Sequence, residues 1–316
     1  MDLTIFEAQE LRPVLGALRE IALANQHFVQ AEVDLIEGLA RLHGVTLRAG
    51  ELPSISFEDV ALVVRDPHRR KRAVQLAIVM SLVEGQPPPE SVAAVRRFAR
   101  TLDVPEEGLR VLSEVAHGHA LFARFDIVRR MRRFLAQSDR PGLLGLAIPL
   151  LLGMNEDERV AARYLALGQL PAGTLGRSLF EHYREHGFAF PGEKGGVPEA
   201  MLFHDVGHVV SGYGVDPQGE IQQAAFQAGF VRQDGFLFLL FGILQFHVGL
   251  KITPIAEAER GYFDVPRVLK ALERGASCNV DFSQHFDLFE YAAEPLTNLR
   301  ARWGVRSLDA GSSFSN

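Results

Sequence analysis

The chain has 316 residues, of which 47% are hydrophobic and 23% charged, a composition typical of a soluble globular protein of two ordinary domains. A net charge of −6 gives no reason to expect a nucleic-acid partner, and we predict none. The single cysteine, Cys278, excludes an intramolecular disulfide and suits a reducing compartment. The first residues show neither a basic segment nor an apolar core, so we predict no signal peptide and a cytoplasmic location.

Residues 1–140 have the pattern of successive helices. Apolar residues recur at helical spacing over 11–24 and again over 31–42. Helices are also predicted in three further segments, namely 72–82, 90–102 and 106–136. No run shows the alternation that is typical of a strand. We therefore predict an all-α fold without a sheet, in two helical domains.

The helix pair around residues 11–43 is echoed by a second pair around 72–104. This arrangement resembles the TerB-like helical domain of tellurite resistance. That family holds metal with acidic residues at the ends of its paired helices. Here the first acidic position is absent, and Glu32, Glu84 and Glu90 remain. The resemblance implies a helical accessory domain and does not predict a metal site.

Two basic clusters, 69–72 and 129–133, lie in this half. Solvated helix faces are the simpler interpretation of such clusters. The alternative is peripheral contact with the anionic surface of a membrane, where each cation adds about 1 kcal/mol.

A turn at residues 138–142 separates the two halves of the chain. The apolar run 143–154 that follows is far shorter than the roughly 20 residues that a membrane-spanning helix needs. We place the boundary near residue 140, which gives domains 1–140 and 141–316. A chain that begins near residue 141 is expected to fold by itself.

A cluster of histidines and acids marks the second half. His204 and His208 are four residues apart, so a helix puts both imidazoles on one face, with Asp205 at its edge. Residues 216–217, Asp-Pro, are a typical N-cap and first helical position. Glu220 then falls in the first turn of the next helix, where its carboxylate can meet the histidines. These donors predict a site for zinc or another divalent metal.

The order of motifs around this site is also informative. Residues 171–177, Pro-Ala-Gly-Thr-Leu-Gly-Arg, open a predicted helix that ends at residues 186–188, His-Gly-Phe. Next come the HDxxH motif at 204–208, eleven residues and Glu220. Over residues 160–305 this order resembles the coenzyme Q biosynthesis protein 4 family. The tail agrees with that family in four segments: 272–275, 286–290, 294–296 and 299–305.

The resemblance implies an all-helical fold and a zinc site formed by His204, Asp205, His208 and Glu220. It also implies action on polyprenylated quinone precursors. Such a protein either removes the ring carboxylate with hydroxylation at that carbon, or organises the other enzymes of quinone biosynthesis as partners. Another isoprenoid lipid or aromatic molecule is an open alternative for the substrate.

Residues 236–250 are apolar around the whole helical circumference and too few to span a bilayer. They predict either a central core helix or a wall of a pocket for a lipid tail. In the second case, Leu240 and Leu244 contact the tail. Arg177 and Tyr183, on the preceding helix, then orient the ring at the metal.

The main alternative is an HD-type metal-dependent phosphohydrolase, in which a His-Asp pair binds the metal that activates water. It needs an upstream histidine, His182 or His186, and a distant aspartate, Asp264, Asp281 or Asp287. A zincin-like hydrolase is less favoured because aspartate replaces the general-base glutamate of HExxH. A non-enzymatic lipid-binding scaffold with structural zinc stays open, since four protein ligands are typical of structural sites.

Overall fold

The computed structural model describes residues 1–137, 156–253, 256–284 and 286–308. Within these ranges the chain forms fifteen α-helices and no strand, so the predicted all-α fold is confirmed. None of the described helices is both long and apolar enough to cross a membrane.

Seven helices form the first half: α1 Ala8–Ala22, α2 Gln30–Leu42, α3 Phe57–Val63, α4 Pro67–Leu82, α5 Pro89–Thr101, α6 Gly108–Ala116 and α7 Ala120–Gln137. Eight lie in the second half: α8 Glu158–Ala166, α9 Leu175–His186, α10 Leu202–Ser211, α11 Pro217–Phe230, α12 Gly235–Phe246, α13 Val265–Ala276, α14 Leu288–Tyr291 and α15 Leu296–Arg302. Short 3-10 turns precede or follow several of them.

Local capping sets where the helices of the second half begin. Thr174 accepts a hydrogen bond from the backbone N–H of Arg177 at the start of α9. Asp216 accepts from Gln218 and Gly219 at the start of α11, directly before the N1 proline. These bonds satisfy N–H groups that a helix otherwise leaves without partners. The N-cap that the Asp-Pro pair predicted is therefore confirmed.

Helix α11 lies at the centre of the second half and packs against α10, α12 and α13. Its approach to α13 is very close, because a Cβ at Gly275 would lie 1.9 Å from the carbonyl oxygen of Phe226. A Cβ at Gly229 would likewise lie 2.5 Å from the carbonyl oxygen of Leu272. Glycine on both helices thus allows the two backbones to meet.

The hydrophobic core continues from one half of the chain into the other. Helix α13 packs on α2, and α12 packs on α4 and α7. Polar contacts join the same surfaces: His247 Nε2 bonds to the Val83 carbonyl at 2.8 Å, and Arg130 pairs with Asp234 at 3.1 Å. The predicted turn at 138–142 and apolar run 143–154 lie outside the described residues. The division into domains at residue 140 therefore stays a prediction.

Candidate metal centre

Three of the predicted ligands meet at one point between α10 and α11. The Nε2 atoms of His204 and His208 are 3.2 Å apart. Glu220 places one carboxylate oxygen 3.4 Å from the first ring nitrogen and the other 3.5 Å from the second. In the part of the chain that the structure describes, this is the group whose ligand atoms lie close enough together, within 4.8 Å, to hold an ion.

The local fold explains this convergence. Helix α10 carries the two histidines one turn apart and ends at Gly212, whose φ of 80° is in the left-handed region. The loop then turns back so tightly that a Cβ at Gly219 would lie 2.2 Å from the Gly214 carbonyl oxygen. The first turn of α11 is thereby pressed against the loop, and Glu220 faces the imidazoles.

The other ring nitrogen of each histidine is held by an oxygen that accepts a hydrogen bond. His204 Nδ1 donates to Gln227 Oε1 at 3.0 Å, and His208 Nδ1 donates to the Tyr213 carbonyl at 3.0 Å. Since a carbonyl oxygen only accepts, both protons are placed on Nδ1. Each Nε2 faces Glu220, so an Nε2 that carries a proton donates it to that carboxylate, and an ion that displaces the proton meets a lone pair. This tautomer and ring orientation are those of metal-binding histidines.

Two arginines from the C-terminal part of the chain fix the end of α10. Arg300 donates to the carbonyl oxygens of Val209 and Val210, each at 2.8 Å. Arg274 donates to the carbonyl of Ser211 at 2.9 Å. These carbonyls have no partner within the helix, and cations near a helix C-terminus are favourable. The arginines therefore stabilise the turn of α10 that carries His208.

The charges within the site support one another. Burial disfavours an imidazolium at His204, but the Glu220 carboxylate outweighs burial and raises the pKa of that imidazole. Burial also opposes ionisation of Glu220, yet its hydrogen bonds to His204 and His208 lower the pKa of the carboxyl below its usual range. An ionised carboxylate facing two ring nitrogens attracts positive charge, and a divalent cation supplies more of it than a proton.

The site is open on one side only. The His208 side chain is 2% exposed, whereas that of His204 is 35% exposed. Two imidazole nitrogens and one carboxylate, with solvent access beside them, match the donor set of catalytic zinc sites with three protein ligands. The residues present thus fit zinc or a similar divalent ion.

Asp205, the fourth predicted ligand, is not among the three converging side chains of the described chain. Its Oδ2 accepts a hydrogen bond from the hydroxyl of Tyr183, on α9. Burial raises the pKa of Tyr183 and of Asp205, so the phenol stays protonated as a donor. A metal bond from Asp205 stays a prediction, while Tyr183 lies beside the site as the sequence suggested.

A further histidine lies against the site. The His182 ring stacks on that of His208, with centroids 5.7 Å apart and planes inclined by 21°. Its Nε2 is buried and has no hydrogen-bond partner among the described residues. Burial lowers the pKa of His182 to about 4, so the ring is neutral at pH 7. The neighbouring His186 bonds through Nδ1 to the His182 carbonyl at 2.8 Å.

The polar contacts of Arg177 are with α9 itself and with the turn that precedes this helix. Its Nε pairs with Glu181 at 2.7 Å, one turn further along α9. Its guanidinium also donates to the carbonyl of Gly168. No contact of Arg177 with the converging side chains is seen in the described residues, so a role in orienting a ligand stays a prediction.

Helix α12 lies next to the site. The rings of Phe238 and Phe203 are 5.9 Å apart, and Phe203 directly precedes His204. Leu240 and Leu244 on α12 are fully buried. The helix that was predicted as a core element or a pocket wall thus has a buried face, and contact between these leucines and a lipid tail stays a prediction.

The aspartates that a phosphohydrolase would need are engaged in local structure. Asp264 and Asp287 accept backbone N–H groups at the starts of α13 and α14. Asp281 accepts the Arg232 backbone N–H at 2.9 Å. Within the described ranges, none of the three belongs to the converging group.

Sequence reasoning missed the residues that support the ligands. Gln227 follows Glu220 by seven residues and Gln223 follows it by three, which places all three on one face of α11. Gln223 donates to the His204 carbonyl at 3.4 Å and accepts from the Ser211 hydroxyl at 2.8 Å. This spacing was a usable signal for the glutamines.

Comparison of the chain with protein-family models and with curated proteins gave no match.

Proposed function

We propose that this protein binds one divalent ion, preferably zinc, through His204, His208 and Glu220, three protein ligands that leave a coordination position open. Its proposed ligand is a polyprenylated aromatic precursor of a quinone. The reaction class is removal of the ring carboxylate with hydroxylation of the same carbon, a two-electron oxidation that needs an external oxidant such as dioxygen. Its partners are the other enzymes of quinone biosynthesis.

The observation that carries this proposal is the convergence of two imidazole Nε2 atoms and a carboxylate at an open edge of the fold. Burying these groups together costs free energy unless something binds them. The hydrogen bonds from Nδ1 hold both rings in the binding orientation, with Nε2 facing Glu220, before any ion arrives. The support is therefore for a preorganised metal site rather than for a chance cluster.

The residues around the site suit an aromatic acid. A bound divalent cation would supply positive charge that polarises a carboxylate or ring oxygen. Tyr183, kept protonated by burial, is a fixed hydrogen-bond donor beside Asp205. His182 adds a neutral imidazole with an unpartnered nitrogen next to His208. In this proposal the cation and the His182 nitrogen bind polar ring substituents, while Tyr183 orients Asp205 beside them.

The apolar surroundings suit a prenyl tail. Burial of such a tail gains about 25 cal/mol per Å², so affinity depends on a long apolar surface. Helix α12 is apolar all round, and its residues other than Phe241 are buried in the core, so the proposal requires this packing to open before a tail can enter. Prenylated precursors reside in bilayers, so the proposal places the protein on the cytoplasmic side of a membrane as a peripheral protein.

A scaffold with structural zinc is less favoured, because structural zinc sites are closed and His204 is 35% exposed. An HD-type phosphohydrolase is less favoured because the three candidate aspartates accept local backbone hydrogen bonds.

Metal content tests the site. Purified full-length protein is expected to carry about one divalent ion per chain, as measured by elemental mass spectrometry. The double variant His204→Ala/His208→Ala is expected to lose it. The control His117→Ala/His119→Ala removes two histidines of the first half and is expected to keep full occupancy. Full occupancy in the first variant would refute the site.

Thermal stability tests the ligand. A prenylated hydroxybenzoate is expected to raise the melting temperature, because a ligand of the native state stabilises it. The same benzoate without its prenyl tail is expected to have a smaller effect, and nucleotides none. Stabilisation by nucleotides, or release of phosphate from them, would favour the phosphohydrolase.

A further inference from the structure

Helix α7 exposes an unusual number of large apolar side chains. Leu121, Phe122, Phe125 and Val128 are between 38% and 79% exposed. Leu121, Phe125 and Val128 recur at i, i+4 and i+7 and form one stripe, with Phe122 beside it. Single exposed apolar residues are ordinary, but a contiguous group of this kind marks an interaction site.

The opposite face of α7 is firmly packed. Ala123, Ile127 and Phe134 are buried, and the ring of Phe134 meets that of Phe238 edge-on with centroids 4.9 Å apart. The helix is therefore anchored to α12 by one face while it presents its apolar stripe to solvent.

The exposed face of α7 carries positive charge and no negative charge. The one acid of the helix, Asp126, is buried and pairs with Arg110 at 2.7 Å. Arg132 continues the apolar stripe one turn further, and Arg124 flanks it; neither has an ion pair in the described chain. We call Leu121, Phe122, Phe125 and Val128, with Arg124 and Arg132, the α7 face.

We propose that the α7 face docks on the surface of an anionic lipid bilayer. Apolar side chains next to cations complement a surface that offers both hydrocarbon and negative headgroups. No acid of α7 itself is exposed, and the exposed Glu107 before α6 is paired with Arg129 and Arg133. A protein partner would also be expected to meet some hydrogen-bonding or acidic groups on this face. The choice of a bilayer rests in part on the proposed function, while the docking itself needs no bound ion.

The geometry also relates the α7 face to the metal centre. On its buried side, Phe134 lies 6.3 Å from Phe203, the residue before His204, measured between ring centroids. Docking through α7 therefore holds the candidate metal centre close to the bilayer, one helix away from the lipid.

Co-sedimentation with lipid vesicles tests the proposal. Full-length protein is expected to bind mixed vesicles of phosphatidylglycerol and phosphatidylcholine. Its affinity for vesicles of phosphatidylcholine alone should be lower by a factor of about ten or more. Phe122→Ser/Phe125→Ser should reduce binding to the mixed vesicles by about tenfold or more. The control Leu62→Ser/Val63→Ser changes two exposed apolar residues of α3 and should leave binding unchanged.

The charge contribution has a matched control as well. Arg124→Glu/Arg132→Glu should weaken binding to mixed vesicles by about tenfold or more, and high salt should do the same to the unchanged protein. Arg96→Glu/Arg100→Glu makes the same charge change on exposed positions of α5 and should have much less effect. Equal losses in both variants would show a dependence on net charge and would overturn the role of α7.

Other outcomes also overturn the proposal. Unchanged vesicle binding by Phe122→Ser/Phe125→Ser would refute the α7 face as the docking surface. Concentration-dependent dimers that this variant abolishes, without vesicle binding, would assign the face to a second copy of the chain. Binding measured before and after chelator treatment separates this test from the metal proposal, because docking should survive removal of the ion.

Discussion

Two glutamates, the buried Glu32 in the first half and the partly buried Glu220 in the second, lie in the first turn of a helix and yet behave in opposite ways. Burial, together with the nearby Glu84 carboxylate, raises the pKa of Glu32 to about 7. The Val29 N–H, which donates a hydrogen bond to Glu32, acts in the opposite direction and lowers this pKa. Two imidazoles instead lower the pKa of Glu220. Both glutamates occupy the same position in a helix, so their surroundings decide whether each carboxyl group is ionised.

This difference explains why, among the described residues, the three converging metal-ligand side chains lie in the second half. Glu32 closes a capping box with Val29, and the other TerB-like candidates, Glu84 and Glu90, are exposed. Carboxylates that face only one another repel until a cation or a proton arrives. Glu220 faces nitrogen donors with fixed tautomers, which suits an ion of borderline softness such as zinc.

The largest expected effect comes from removing the charged member of the cluster. Glu220→Ala should weaken metal binding by more than about 100-fold, because changes in residues that merely support ligands already cost 10–100-fold. Competition with a chelator measures the affinity. Glu32→Ala, the matched change in the other half, should leave affinity unaltered; a similar loss in both variants would contradict the assignment.

The next effect concerns the proton on Glu32. Its folded pKa of about 7 lies above the unfolded value of 4.5, so the folded protein keeps a proton that the unfolded chain releases. The stability that this proton contributes is complete below pH 4.5 and is lost as the pH rises through 7. The loss between pH 5 and pH 8 is about 2 kcal/mol, because each tenfold difference in proton affinity between the two states corresponds to about 1.4 kcal/mol.

Glu32→Gln should remove this pH dependence. Glutamine keeps the capping-box geometry, because its side-chain oxygen can accept the Val29 N–H. Urea unfolding at several pH values measures the free energy of unfolding. At pH 8 the free energy of unfolding should be higher for the variant than for the unchanged protein. Between pH 5 and pH 8 this free energy should fall less in the variant. Parallel pH profiles would show that Glu32 is ionised in the folded protein.

The smallest expected effect tests the support of His204. Gln227→Leu removes the acceptor of the Nδ1 proton and should weaken metal binding by about tenfold, the lower end of such changes, since His204 is partly exposed. Gln222→Leu, on the same helix, is the control and should leave affinity unchanged. An unchanged affinity in Gln227→Leu would mean that packing alone orients the ring.

Local chemistry made much of the site predictable. The spacing of His204 and His208 places two imidazoles on one face of any helix, and the Asp-Pro pair at 216–217 fixes where the next helix starts. Apolar periodicity likewise predicted the helices, because each helix must bury one face. These features of the site depend on residues only a few positions apart in the sequence, so they can be read from it directly.

Contacts between distant segments decided the rest. Arg274 and Arg300 reach the end of α10 from more than 60 residues away, and no local pattern predicts such partners. Asp205 has its HDxxH spacing from the sequence, but packing of α9 against α10 supplies the Tyr183 hydroxyl whose hydrogen bond it accepts. Glu32 and Glu220 look alike in sequence, and their pKa values diverge because tertiary packing buried Glu32 beside a carboxylate and placed Glu220 against two imidazoles.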